Sequence, residues 1–187
     1  MKSAICVALG VFAAGSVGMA QAPGGGQKLS LAQSLQRSYN GIKANMTEAA
    51  AKMSDAEYSY RPSPEIRTYA GQIGHVAFWN YNFCAAAKGE PNPNKDMFET
   101  TKTTKGDVEK VLAESFAYCD PVFASLTDES AMQLVKQGQN EVPRVAPLIN
   151  VLTHGNEEYG IMTVYLRTKN MVPPSTERAM KGRAAKK

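Results

Sequence analysis

Apolar side chains recur at helical spacing along four long stretches of this chain. Leu31, Leu35, Ile42, Met46, Ala49 and Met53 fall three, four or seven residues apart, which predicts a first helix over residues 29–54, capped at or near Ser30. The run "YRPSPEIR" ends it, because prolines and the residues before them disfavour helix. A second helix is expected over residues 68–88, stopped by Gly89, and a third over 104–125, with Pro121 kinking it or starting a new turn. A fourth spans 145–170 and cannot continue past Pro173 and Pro174. Polar "PNPNKDMFETTKTT" links the second to the third, and "TDESAMQLVKQGQNEVPR" reads as one short helix and a turn. No stretch alternates with period two over a useful length, so strands are not expected. The fold class is all-α, a four-helix bundle. The second link is long enough to permit a crossover.

The ends of the chain read differently. Lys2 followed by "AICVALGVFAAGSVGMA" has the charge, apolar run and small residues of a secretory signal peptide over residues 1–20. The competing reading, a membrane anchor, asks for a longer run. Residues 21–27 form a flexible glycine-rich leader, 28–176 the bundle, and 177–187 a basic, disordered tail. The mature protein is therefore expected to begin near Gln21, with no stable membrane anchor after processing and a secreted or periplasmic location. With Lys2 and the five basic groups after Glu177 set aside, 15 of the 21 Lys and Arg face all 17 Asp and Glu. The bundle has no basic excess, so no nucleic-acid partner is expected.

Cys84 and Cys119 are the two cysteines outside the signal segment. In an oxidising compartment such a pair suggests a disulfide; two buried thiols is the alternative. Parallel second and third helices would set the two sulfurs at similar heights, and antiparallel ones would separate them. There is no CxxC or CxxCH.

The chemistry-bearing residues are few. His75 and His154 are the only histidines, and Glu158 lies four residues after His154. Val151, His154, Glu158 and Tyr165 share one stripe of the fourth helix, and Gln72, His75, Trp79 and Asn82 share one of the second. A polar group facing a bundle core needs a partner or costs roughly 1–3 kcal/mol. If the stripes face each other, His75, His154 and Glu158 converge on a site for a divalent metal such as Zn, Ni, Fe or Mn. Otherwise they are core histidines bonded to a glutamate. Counted from the helix starts, their levels favour parallel neighbours and a site toward one end of the bundle. Tyr58, Tyr60, Trp79, Tyr81 and Phe83 read as core and rim packing. No HExxH, phosphate-cradling loop or nucleophile elbow is present.

"GQIGHVAFWNYNFC", followed far downstream by His154-x-x-Glu157-Glu158-Tyr159-Gly160, Tyr165-Leu166-Arg167 and Val172-Pro173-Pro174-Ser175, resembles the DinB/YfiT-like superfamily, in particular its secreted bacterial branch. The resemblance covers essentially all of the chain after the leader. It implies a bundle of up-down-down-up topology and a divalent metal held by three histidines, one on the second helix and two four apart on the fourth. Those positions are His75, His154 and 158, and here the third is glutamate. A carboxylate can replace imidazole with altered metal preference; the alternative is a site that has lapsed and stands empty. The resemblance also implies a small-molecule substrate, thiol-dependent transfer, isomerisation or hydrolysis, and a homodimer. Two readings follow: a secreted metal-dependent enzyme of hydrolase or transferase type, or a non-catalytic bundle for binding or stress with an eroded site.

Overall fold

The computed structural model describes residues 27–185. The expected signal peptide, and the leader up to residue 26, lie outside the described residues. Helix α1 (Leu31–Lys52) starts from a capping box, in which Ser30 accepts the Gln33 N–H and the Gln33 side chain accepts the Ser30 N–H. Helix α2 (Tyr69–Lys88) is capped by Thr68 and ends on Gly89 at φ 70°, the left-handed position that glycine enters without strain. A single turn, α3 (Phe98–Thr101), precedes α4 (Lys105–Ala124), which continues through Pro121. Then come the short α5 (Asp128–Ala131), strands β1 (Leu134–Gln137) and β2 (Asn140–Pro143), α6 (Val145–Thr168) and α7 (Pro174–Ala184).

The four long helices lie within a few residues of their predicted bounds. Two regions differ. A two-stranded antiparallel hairpin replaces the expected turn, with Gln137 paired to Asn140 across Gly138 at φ 64°. Strands of four residues are too short for alternation to register in the sequence. The expected disordered tail is helical through Ala184, because Pro174 sits at the first helical position, where proline starts a helix as readily as it stops one. Glu177 pairs with Lys52 at 2.6 Å, and Arg178 bonds Glu48 and Asn45, which holds α7 against α1.

Side-chain registers fix the topology. Tyr39 and Lys43 meet Asp120 while Lys105 reaches the Met53 carbonyl, so α1 and α4 are antiparallel. Asn80 bonds Ser115 and Cys84 bridges Cys119, so α2 and α4 run parallel. The Cys84–Cys119 Cα separation of 5.4 Å suits a disulfide, as parallel helices predict. His75 meets His154 while the Tyr165 hydroxyl reaches the Arg67 carbonyl, so α2 and α6 are antiparallel. This is the up-down-down-up arrangement, with α2 and α1 each flanked by α4 and α6. The core between them holds Tyr39, Met46, Tyr69, Ile73, Phe116, Leu148 and Met162, all fully or almost fully buried. No described helix is long and apolar enough to cross a membrane.

Candidate metal centre

The structure brings His75, His154 and Glu158 together, by a route other than the one their helix levels suggested. α2 and α6 are antiparallel, yet they are staggered: α6 is longer and overruns the start of α2, where Tyr165 and Thr168 pack on the segment before it. The stagger sets His75, seventh residue of α2, beside His154, tenth of α6, at mid-height and not at an end. Two glycines let the backbones close around these ligands. A Cβ on Gly155 would meet Ile42 Cγ2 at 2.8 Å, so α6 lies tight on α1 beside His154. A Cβ on Gly74 would meet the Phe98 carbonyl carbon at 2.7 Å, so α3 lies tight on α2 beside His75.

Three atoms form a triangle. His75 Nε2 and His154 Nε2 are 3.2 Å apart, and Glu158 Oε1 lies 3.6 Å from the first and 3.3 Å from the second. Ligands about 2.1 Å from a tetrahedral ion sit about 3.4 Å from one another, so these edges fit a metal. The carboxylate is buried, and the imidazoles are partly open to solvent.

Neighbouring groups orient the ligands. Glu99 Oε2 accepts from His75 Nδ1 at 2.8 Å and from Arg67 Nε at 2.9 Å. Burial works against the Glu99 charge, but Arg67 and His75 more than offset it and hold its pKa below the usual carboxylate value. The Nδ1–Glu99 bond fixes the orientation of the His75 ring and turns its Nε2 toward Glu158. The His154 pKa is pushed down to about 4, first by burial and then by the charges of His75 and Arg67, so this ring is neutral near pH 7. The Gln72 amide donates to Glu158 Oε2, which leaves Oε1 facing the histidines. Two ring nitrogens and a carboxylate oxygen thus point at a common centre, a donor set that suits a divalent cation.

Trp79 and Phe83 stack on each other at 5.2 Å and lie 6.0 and 5.8 Å from the His154 ring, so two aromatics read as packing also wall the site. They line a groove of about 340 Å³ that reaches Lys136 at the hairpin tip. On the other side, a cavity of about 360 Å³ is lined by Arg67, Gln72 and Ile161. A cavity of about 380 Å³ between Tyr81 and Lys110 contains none of the three ligand residues. Asn82 bonds the Phe78 carbonyl and Tyr159 bonds Ser175, so neither turns to the triangle. Sequence reasoning missed Glu99, whose single helical turn carries no periodic signal. It also left Gln72 outside the site, although its stripe was visible.

Gly74→Ala tests how Glu99 is placed. The added Cβ forces α3 away, with an expected cost of about 1–3 kcal/mol in urea denaturation. Zinc affinity, measured by chelator competition, should fall about 10–100-fold as Glu99 leaves His75. Unchanged zinc affinity would show that Glu99 does not support the ligand set.

The DinB superfamily matches residues 40–161 of the chain. None of the curated proteins matches it. Among solved structures, a DinB-like protein from Bacillus cereus ATCC 10987 aligns with a TM-score of 0.63 at 14% identity, over 75% of this chain and 93% of that one. A DinB-like protein from Bacillus subtilis gives 0.61 at 18%, over 74% and 94%. A mycothiol-dependent maleylpyruvate isomerase gives 0.54 at 17%, over 73% of this chain and 61% of the isomerase. At these identities the likeness establishes the fold and not the chemistry.

Proposed function

The chain belongs to the DinB superfamily, and on that premise we propose that it is an exported, divalent-metal-dependent enzyme of hydrolase or transferase type, with His75, His154 and Glu158 as the ligands. The triangle of Nε2, Nε2 and Oε1 atoms carries this reading, because its 3.2–3.6 Å edges match the spacing of metal ligands. Two imidazoles and a carboxylate suit zinc, nickel, iron or manganese. When bound, the metal supplies Lewis-acid polarisation of a substrate oxygen.

The chain's own groups prepare the centre. Glu99 holds the His75 ring in one orientation, and Gln72 orients the Glu158 carboxylate. Trp79 and Phe83 pack an apolar wall against one side of His154. Export is supported by the signal-like N-terminus and by the Cys84–Cys119 bridge. A low-molecular-weight thiol of the kind named for the isomerase would be scarce outside the membrane, which favours hydrolysis. The Gln72–Glu158 bond supports a second reading, a non-catalytic bundle, since it satisfies part of the buried carboxylate without a cation.

The test is turnover of a panel of activated esters and amides by chelator-treated protein reloaded with zinc, nickel, iron(II) or manganese(II). Turnover restored by metal and lost in His154→Ala is the expected result. Stoichiometric metal binding with no metal-dependent turnover of any panel member would favour the binding protein.

A further inference from the structure

Arg67 stands at the margin of the centre with most of its hydrogen-bonding capacity unspent. Its Nε donates to Glu99 Oε2, and its carbonyl accepts the Tyr165 hydroxyl at 2.7 Å, so both its backbone and the stem of its guanidinium are fixed. That leaves four of the five guanidinium N–H donors, on Nη1 and Nη2, without an acceptor among the described residues. The side chain is 40% exposed, so the open fork faces solvent at the cavity.

The start of α2 beside it offers no competing anion site. Its first N–H groups are already taken: Tyr69 by the Tyr60 carbonyl, Ala70 by the Tyr58 carbonyl, Gly71 by the Thr68 hydroxyl and Gln72 by the Thr68 carbonyl. The cavity of about 360 Å³ that Arg67 borders is also walled by Glu65, Ile66, Ile161, Tyr165 and Gln72, and its volume suits a small molecule. The Glu65 carboxylate accepts from the Ser63 hydroxyl, which favours its charged form, so the one cation of Arg67 must hold the ligand beside that charge. Gln72 joins the cavity to the centre, because the amide that lines it also holds Glu158.

We propose that this cavity is a carboxylate subsite. The substrate is a small carboxylic acid with an apolar body, its carboxylate held by the Arg67 Nη1–Nη2 fork and its body against Ile66 and Ile161. A planar fork matches one carboxylate in bidentate fashion. A phosphate dianion would need a second cation, and Arg67 is the only basic residue lining the cavity. That the bound acid reacts at His75, His154 and Glu158 rests on the enzyme reading above; the subsite itself stands without a metal.

The experiment is an NMR titration of the protein with butyrate and, separately, with uncharged butyramide, following the Arg67 Nε–H signal in both chelator-treated and zinc-loaded samples. Butyrate should shift that signal with a dissociation constant of about 1–10 mM in both samples, and butyramide should not. Arg67→Gln should weaken butyrate binding at least about tenfold, and Arg67→Lys, which keeps the charge but loses the fork, should also weaken it. Lys110→Gln, in a residue that borders a separate cavity, should leave it within about twofold. A loss there equal to that in Arg67→Gln would mean that butyrate follows net charge and not the Arg67 fork, and would overturn the proposal. Equal butyrate affinity in Arg67→Gln, or equal shifts from butyramide, would overturn the proposal. Zinc uptake without butyrate binding would sink the subsite alone, and butyrate binding without zinc uptake would sink the metal reading alone.

Discussion

Protein reduced in urea and refolded without its disulfide should lose about 4 kcal/mol of stability. The bridge joins residues 35 apart, and closing a loop of that length in the unfolded chain removes this much conformational freedom on the chain-entropy estimate. Both sulfurs are fully buried, so reductant should act on the unfolded chain and leave the folded one alone. The bridge also ties α2 to α4 on the far side of His75 from Arg67, so its loss frees the helix that carries the first ligand. For a domain of this size the melting temperature should drop by about 10 °C. The measurement is paired urea denaturation of oxidised and reduced wild type, with Cys84→Ala/Cys119→Ala as a variant that has no thiols to reoxidise. A difference below about 1 kcal/mol would mean that the two cysteines do not bridge in solution.

The parts of this fold that repeat were legible in the sequence, and the single-turn parts were not. The four long helices announce themselves because Leu35, Ile42 and Met46, or Leu148, Val151 and Met162, bury one face over many turns. The length of the link permitted a parallel α2–α4 pair, and the resemblance to the DinB/YfiT-like superfamily implied it. The stripes bearing His75, Gln72, His154 and Glu158 followed from spacing alone, whereas their facing each other was implied by the resemblance to the DinB/YfiT-like superfamily. The stagger of α2 against α6 was not legible. It is set by contacts such as Tyr165 to Arg67 and Tyr60 to Thr168, which no local pattern encodes. Glu99 was hidden for a related reason: four residues of α3 owe their place to the room that Gly74 leaves. α7 was hidden because its anchoring charges, Glu177 and Arg178, look in sequence like a solvated tail.

Substitutions at position 158 should move metal affinity furthest. Glu158→Ala removes one of three ligands, so zinc affinity should fall by at least about a hundredfold, the upper end of what loss of an outer partner alone costs. Glu158→His should raise it by about tenfold, one unit on a logarithmic scale, because imidazole suits zinc, nickel and copper better than a carboxylate does. The same change strands the Gln72 amide, which among the described residues donates to the Glu158 carboxylate alone, so fold stability should fall by about 1–3 kcal/mol even as metal affinity rises. Those opposite signs separate a ligand from a residue that merely fills the core.

The central claim is that His75, His154 and Glu158 hold one divalent metal, and X-ray absorption combined with metal analysis of purified, untagged protein after zinc dialysis tests it most directly. The expected result is one zinc per chain with two imidazole nitrogens and a carboxylate oxygen at about 2.0–2.2 Å, lost in a His75→Ala/His154→Ala variant. No stoichiometric uptake of zinc, nickel, iron or manganese, or uptake that the double variant retains, would contradict it.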